Sequence, residues 1–148
     1  MMDMMLLVKL LLDFGLVILI WLIQLVIYPS FIYYEKSNLT RWHKIYMTRI
    51  SFVVMPLMTM QLGLSAYLFY NDITFFNSIN MGIISLIWLH TFIKAVPLHS
   101  QISLDQSATV AASKLFRMNR VRTLLWTVLF VYNIVVVCVI DSLFVNKW

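Results

Sequence analysis

The chain holds three histidines, His43, His90 and His99, and each lies at or near the end of a long apolar run. Imidazole titrates near neutral pH, which suits proton transfer, and its neutral form is a common metal ligand. His43 and His99 are the candidate acid/base residues. Tyr28, Glu35, Tyr46, Arg49, Asn119, Arg122 and Trp126 occupy similar positions in their own runs and are the candidate ligand-binding residues. Arg122 could grip a carboxylate or another negative oxygen through two parallel hydrogen bonds. Tyr46 and Trp126 offer flat faces for an aromatic ligand. Two histidines and a carboxylate, here His43, His99 and Glu35, can hold a metal and leave coordination positions open. No His-x-x-His or Glu-x-x-His spacing is present, so metal or haem is the less favoured chemistry. The same charges admit a third outcome, a salt-bridged lock in which Glu35 pairs with Arg49 or Arg122.

Helical spacing puts several of these side chains on common faces. Gln24, Tyr28, Phe31 and Glu35 follow one another by steps of four, three and four. His43, Tyr46 and Ile50 share a face, and so do Asn119, Arg122, Trp126 and Asn133. Pro29 frees a backbone carbonyl near Leu25, which in a bilayer needs a neighbouring partner. Pro97 ends or kinks its helix, so His99 is expected at the membrane surface. His90 is expected deeper, either as a functional ionisable group or, the favoured reading, as a neutral ring hydrogen-bonded across helices. Asp13, four residues after Lys9, is expected to form a structural pair with it.

The elements that must position these residues are legible from the charges. Uncharged runs cover 14–34, 50–71, 73–93 and 123–140. A helix needs about 20 mostly apolar residues to cross the hydrocarbon core. Four spans are therefore predicted, at about 10–34, 46–70, 79–97 and 120–141, within one integral membrane unit covering 1–148. The composition agrees: 62% of residues are hydrophobic and 11% charged, against about 25% charged in soluble domains. The first span is too long for a signal peptide and no small-x-small site follows it. Links are short, so consecutive helices should be antiparallel neighbours. The third link is the longest. Ser103-Leu104-Asp105-Gln106 reads as a capping box, followed by an apolar stripe of Leu104, Ala108, Ala111, Ala112 and Leu115. This predicts a short interfacial helix before the fourth span, or one that runs into it.

Nine of the eleven Lys and Arg residues fall at one end of such a bundle. Cytoplasmic loops are enriched in these residues, so that end is expected to be cytoplasmic and both termini extracytoplasmic. Four of six acidic residues, Asp3, Asp13, Asp72 and Asp141, fall at the other end. The net charge of +5 is then explained by topology and anionic lipid, not by nucleic acid. Cys138 is the one cysteine, so no disulfide forms within the chain. Met55, Met58 and Met60 could bind a soft metal, but methionine is an ordinary core filler.

Two resemblances arise from these residues. The pattern Tyr28-Pro29, His43, Pro56-Leu57-Met58, Val96-Pro97-Leu98-His99, Asn119-x-x-Arg122-Thr123-x-x-Trp126 resembles a family of bacterial four-helix membrane proteins, itself similar to the anthrone-oxygenase-like membrane domain. That domain tends to have Asn where His99 stands. The resemblance implies a bacterial inner membrane and cofactor-independent oxygenation of a polycyclic aromatic. The stretch 117–123, with the four-span architecture, is similar to small haem-containing membrane protoporphyrinogen oxidases and copper-resistance membrane domains. Those oxidases carry a histidine in the first span, and this chain has none there.

The expected fold is an all-α, up-down-up-down bundle of four transmembrane helices. The expected function is a cytoplasm-facing polar pocket that binds, and could oxidise, an apolar aromatic or quinone-like molecule. Its partners would be the lipid bilayer and that small molecule. The alternative is a non-catalytic accessory subunit whose polar end docks a membrane complex or a second copy of the chain.

Overall fold

The computed structural model describes residues 4–104 and 107–145, and side chains as far as residue 139. Asp3, Asp105, Gln106 and Lys147 lie outside the described residues, and so does the side chain of Asp141. The described chain is helical, in four long segments: α1 (Met4–Tyr33), α2 (Lys36–Asn71), α3 (Phe75–Ser103) and α4 (Ala108–Val145). All four are long and apolar enough to cross a membrane, and the protein is a multi-pass membrane protein. At 1.5 Å per residue each is about 45 Å or longer, so each outruns the hydrocarbon core at its ends. The helices therefore extend past the runs read from charge.

Short links reverse the chain three times, and each helix packs on its sequence neighbours, with α4 closing against α1. Each helix buries one stripe at helical period. On α2 the stripe is Leu39, His43, Tyr46, Met58, Gln61 and Ser65; on α4 it includes Leu115, Asn119, Arg122, Trp126, Leu129 and Asn133. Polar groups thus point inward, while side chains such as Leu25, Phe52, Leu86 and Leu124 face out. That inversion suits a lipid solvent, in which polar groups find partners only inside.

Of the two outcomes expected for the segment before the fourth span, the structure shows the second: the helix runs into the span and is not a separate element. Residues 108–145 hold no glycine or proline, so nothing breaks the helix, and α4 runs through them without interruption. Ser103 does not cap its start; it is the last residue of α3.

Two π-helical turns shape the basic end, at Ile23–Ile27 in α1 and Thr91–Ala95 in α3. Tyr28 N–H donates to the Ile23 carbonyl and Val96 N–H to the Thr91 carbonyl. Each closing residue immediately precedes a proline, Pro29 or Pro97. Proline lacks an N–H and crowds the preceding turn. A widened turn relieves that crowding, and such turns recur at functional sites. They set the phase in which Tyr28 and His99 enter the bundle.

Candidate functional site

His43 and His99 meet inside the basic end. His43 sits on the buried stripe of α2 and is fully buried. His99 follows the second π-turn and Pro97 on α3. His43 Nε2 and His99 Nδ1 are 2.9 Å apart. The outer nitrogens are engaged as well: His43 Nδ1 lies 2.9 Å from Ser103 Oγ, and His99 Nε2 lies 3.1 Å from the Tyr28 hydroxyl. The result is an unbroken hydrogen-bonded row, Tyr28–His99–His43–Ser103, contributed by α1, α3 and α2. With both rings neutral, the row is fully satisfied in either direction. Every donor can point toward Ser103, or every donor toward Tyr28.

Arg122 stands beside this row. It is 6% exposed, and its Nη1 donates to Asn119 Oδ1 at 3.3 Å. Asn119 Nδ2 donates in turn to Gln24 Oε1 at 3.0 Å. The Tyr28 hydroxyl is within reach of both Arg122 and Tyr46. The guanidinium lies over the Trp126 ring, 5.3 Å from its centroid. Arg122 Nε is buried and has no hydrogen-bond partner. No carboxylate among the described residues pairs with Arg122. A buried cation without an anion is costly, and in a membrane it marks a functional position by default.

Arg122, Tyr28, Tyr46 and His99 line a cavity of about 160 Å³, whose remaining lining is mostly apolar and includes Ile50, Val54 and Met58. A cavity of about 150 Å³ accommodates one benzene. Met55 on α2 and Val96 on α3 also line it, and both are exposed on the outer face. The cavity therefore reaches the lipid-facing surface between those two helices.

Several expected participants lie elsewhere. Glu35 and Arg49 are exposed and do not line the cavity. Among the described residues Glu35 makes no salt bridge with Arg49 or Arg122, so that lock is not formed. Trp126 lies under Arg122 and outside the cavity, not against a ligand's face. A metal on His43, His99 and Glu35 does not fit, because the ring nitrogens are all committed to hydrogen bonds and, among the described residues, no three His, Cys, Asp or Glu side chains come together as a metal site. Met58 is buried while Met55 and Met60 are exposed, so the methionines do not converge on a soft metal. His90 makes no bond across helices; its two ring nitrogens are buried without partners.

A second polar layer fills the opposite half of the bundle. Lys9 and Asp13 pair at 2.9 Å, and both are buried. Asp13 also accepts from Gln61 Nε2 at 2.7 Å and from Asn133 Nδ2 at 2.6 Å. Trp126 Nε1 donates to Gln61 Oε1 at 3.3 Å. Trp126 thus joins the two layers, touching Gln61 at its edge and Arg122 on its face. Gln61 and Ser103 were not among the expected functional residues. Gln61 carried a signal, as a long polar amide inside an uncharged run.

Comparison of the chain with protein-family models, with curated proteins and with solved structures finds no match. Fold alone does not fix function, so the functional argument rests on this site.

Proposed function

We propose that the protein binds the single-ring head group of an apolar aromatic or quinone-like molecule in the cavity beside Arg122. The observation that carries this is a buried arginine, with no carboxylate partner among the described residues, lining a ring-sized cavity that reaches the outer face of the bundle. A ring oxygen carrying partial or full negative charge would supply the anion that the Arg122 guanidinium lacks. Tyr28 and His99 would donate to or accept from the same oxygen, and an apolar tail would leave between α2 and α3. The volume supports one ring; a polycyclic substrate of the kind an oxygenase resemblance implies needs more room. The excess of Lys and Arg at this end supports a cytoplasmic side. His99 is the nearest acid/base group, with His43 behind it.

An accessory subunit docked through its polar end is the competing reading. It requires polar groups that satisfy one another or face a partner, whereas Arg122 is buried and incompletely satisfied. The test is a titration of the protein in nanodiscs with decylubiquinone, followed by tryptophan fluorescence. Arg122→Gln should weaken binding by about tenfold or more, roughly the worth of one charge-assisted hydrogen bond. Arg49→Gln should leave binding unchanged. Equal affinity in wild type and Arg122→Gln, or no binding by wild type, overturns the proposal.

A further inference from the structure

We propose that Tyr28, His99, His43 and Ser103 form a proton relay, carrying the proton of a ring hydroxyl bound in the cavity to water at the basic end. The inference rests on the ring-binding role of the cavity and narrows its ligand to a phenol or hydroquinone. Three features carry it. The contacts are contiguous, at 3.1, 2.9 and 2.9 Å. Tyr28 and His43 are buried, His99 and Ser103 are half-buried, and each can both accept and donate a proton. The row also has two distinct ends. Tyr28 and His99 line the cavity, whereas His43 does not, and Ser103 is half-buried at the last residue of α3, next to the exposed Leu104.

The transfer balances as follows. Before it, Tyr28 donates to His99 Nε2, His99 Nδ1–H to His43 Nε2, and His43 Nδ1–H to Ser103 Oγ. The ligand hydroxyl proton moves to Tyr28 Oη as the Tyr28 proton moves to His99 Nε2. The His99 Nδ1 proton passes to His43 Nε2, the His43 Nδ1 proton to Ser103 Oγ, and the original Ser103 proton to water. The ligand becomes an oxyanion held by the Tyr28 O–H and by Arg122. Both imidazoles stay neutral and both have exchanged tautomer. No electron moves and no oxidant is needed. Among the described residues, the titratable and charged groups facing the row are Tyr46 from α2 and Arg122 from α4. Arg122 favours the anion at the cavity end and opposes a resident positive charge on the row. That combination drives the proton outward.

The test uses para-nitrophenol, a single-ring phenol whose anion absorbs visible light, with the full protein in nanodiscs. Binding is followed by tryptophan fluorescence, ionisation by phenolate absorbance, and tautomers by imidazole nitrogen NMR. In wild type, phenolate should appear with the binding phase, and both His43 and His99 should switch from the Nδ1–H to the Nε2–H form. His43→Gln keeps hydrogen bonds to both neighbours but cannot relay. It should bind with unchanged affinity, while phenolate lags binding by about tenfold or more. Unswitched tautomers in wild type with the anion bound overturn the relay even if His43→Gln does not fold. Phenolate that appears without lag in a folded His43→Gln protein does the same. Failure of wild type to bind para-nitrophenol, together with failure to bind decylubiquinone, removes the ring-binding role itself and the relay with it.

Discussion

His43 and His99 face each other as a stacked pair, 5.1 Å between ring centroids and 24° between planes, with 2.9 Å separating His43 Nε2 from His99 Nδ1. Only one proton fits between those nitrogens. Two imidazolium rings would set donor against donor, so each ring depends on the other remaining neutral. The pair comes from α2 and α3 and ties their ends together, with His99 on the lining of the cavity.

That dependence predicts strong coupling. His99→Leu leaves His43 Nε2 buried without a partner, and His43→Leu does the same to His99 Nδ1. Each single change should cost about 1–3 kcal/mol. The double change removes both orphaned groups and should cost less than the sum of the two. Thermal unfolding of the four proteins in one detergent measures the cycle. Additive losses would mean that the rings act independently.

Arg122 should be a stability liability. Replacing a buried, incompletely paired charge by an apolar side chain of similar length is commonly neutral or stabilising, by up to about 4 kcal/mol. Arg122→Met should therefore hold or raise the unfolding temperature while it abolishes decylubiquinone binding. A large drop in stability would instead make Arg122 a structural post.

The exposed charges should be bystanders. Glu35→Gln and Arg49→Gln alter side chains outside the cavity, and each should change stability by less than about 0.5 kcal/mol. Loss of folded protein with either substitution would revive a salt-bridged lock.

Asp13 carries the opposite half of the bundle. Asp13→Asn would leave the Lys9 ammonium buried without an anion, which should cost about 3–5 kcal/mol. Adding Lys9→Met removes that orphaned charge and should recover much of the loss. Unfolding curves of wild type, single and double variants test this. A single variant as stable as wild type would show that Lys9 escapes to the membrane surface.

The sequence exposed the spans because hydrocarbon tolerates so few charges that each one marks a boundary. Tyr28, His43, His99, Asn119 and Arg122 were legible for the same reason, as polar groups at depths where polarity is rare. Glu35 and Arg49 carry the same signature in sequence, but a charge near a helix end can face in or out at little cost, so its type does not fix its phase. Ser103 fitted a local capping pattern, yet its hydroxyl meets His43 from the end of α3 instead. The π-turns were hidden because a widened turn follows from how Pro29 and Pro97 pack, not from residue type alone. Gln61 and Asn133 are neutral, and only packing shows that they meet Asp13. The cavity depends on how side chains from four helices fail to fill one space, which no single helix encodes.

Trp126 separates positioning from packing, because it serves the two polar layers with different parts of one ring. Its Nε1–H reaches Gln61 and its face carries the Arg122 guanidinium. Trp126→Phe keeps an aromatic face under Arg122 and removes only the donor, leaving Gln61 Oε1 without it. That should cost about 1–3 kcal/mol and leave decylubiquinone affinity nearly intact. Trp126→Leu fills much of the volume but removes the π-face, whose attraction for a desolvated cation is about 2 kcal/mol. Arg122 would then lose its support, and affinity should fall by about tenfold or more. Equal affinity in the two variants would show that Trp126 acts on Arg122 through packing alone. Loss of affinity in Trp126→Phe as well would place the control in the Gln61 contact, and so link Asp13 in one half of the membrane to the ring site in the other.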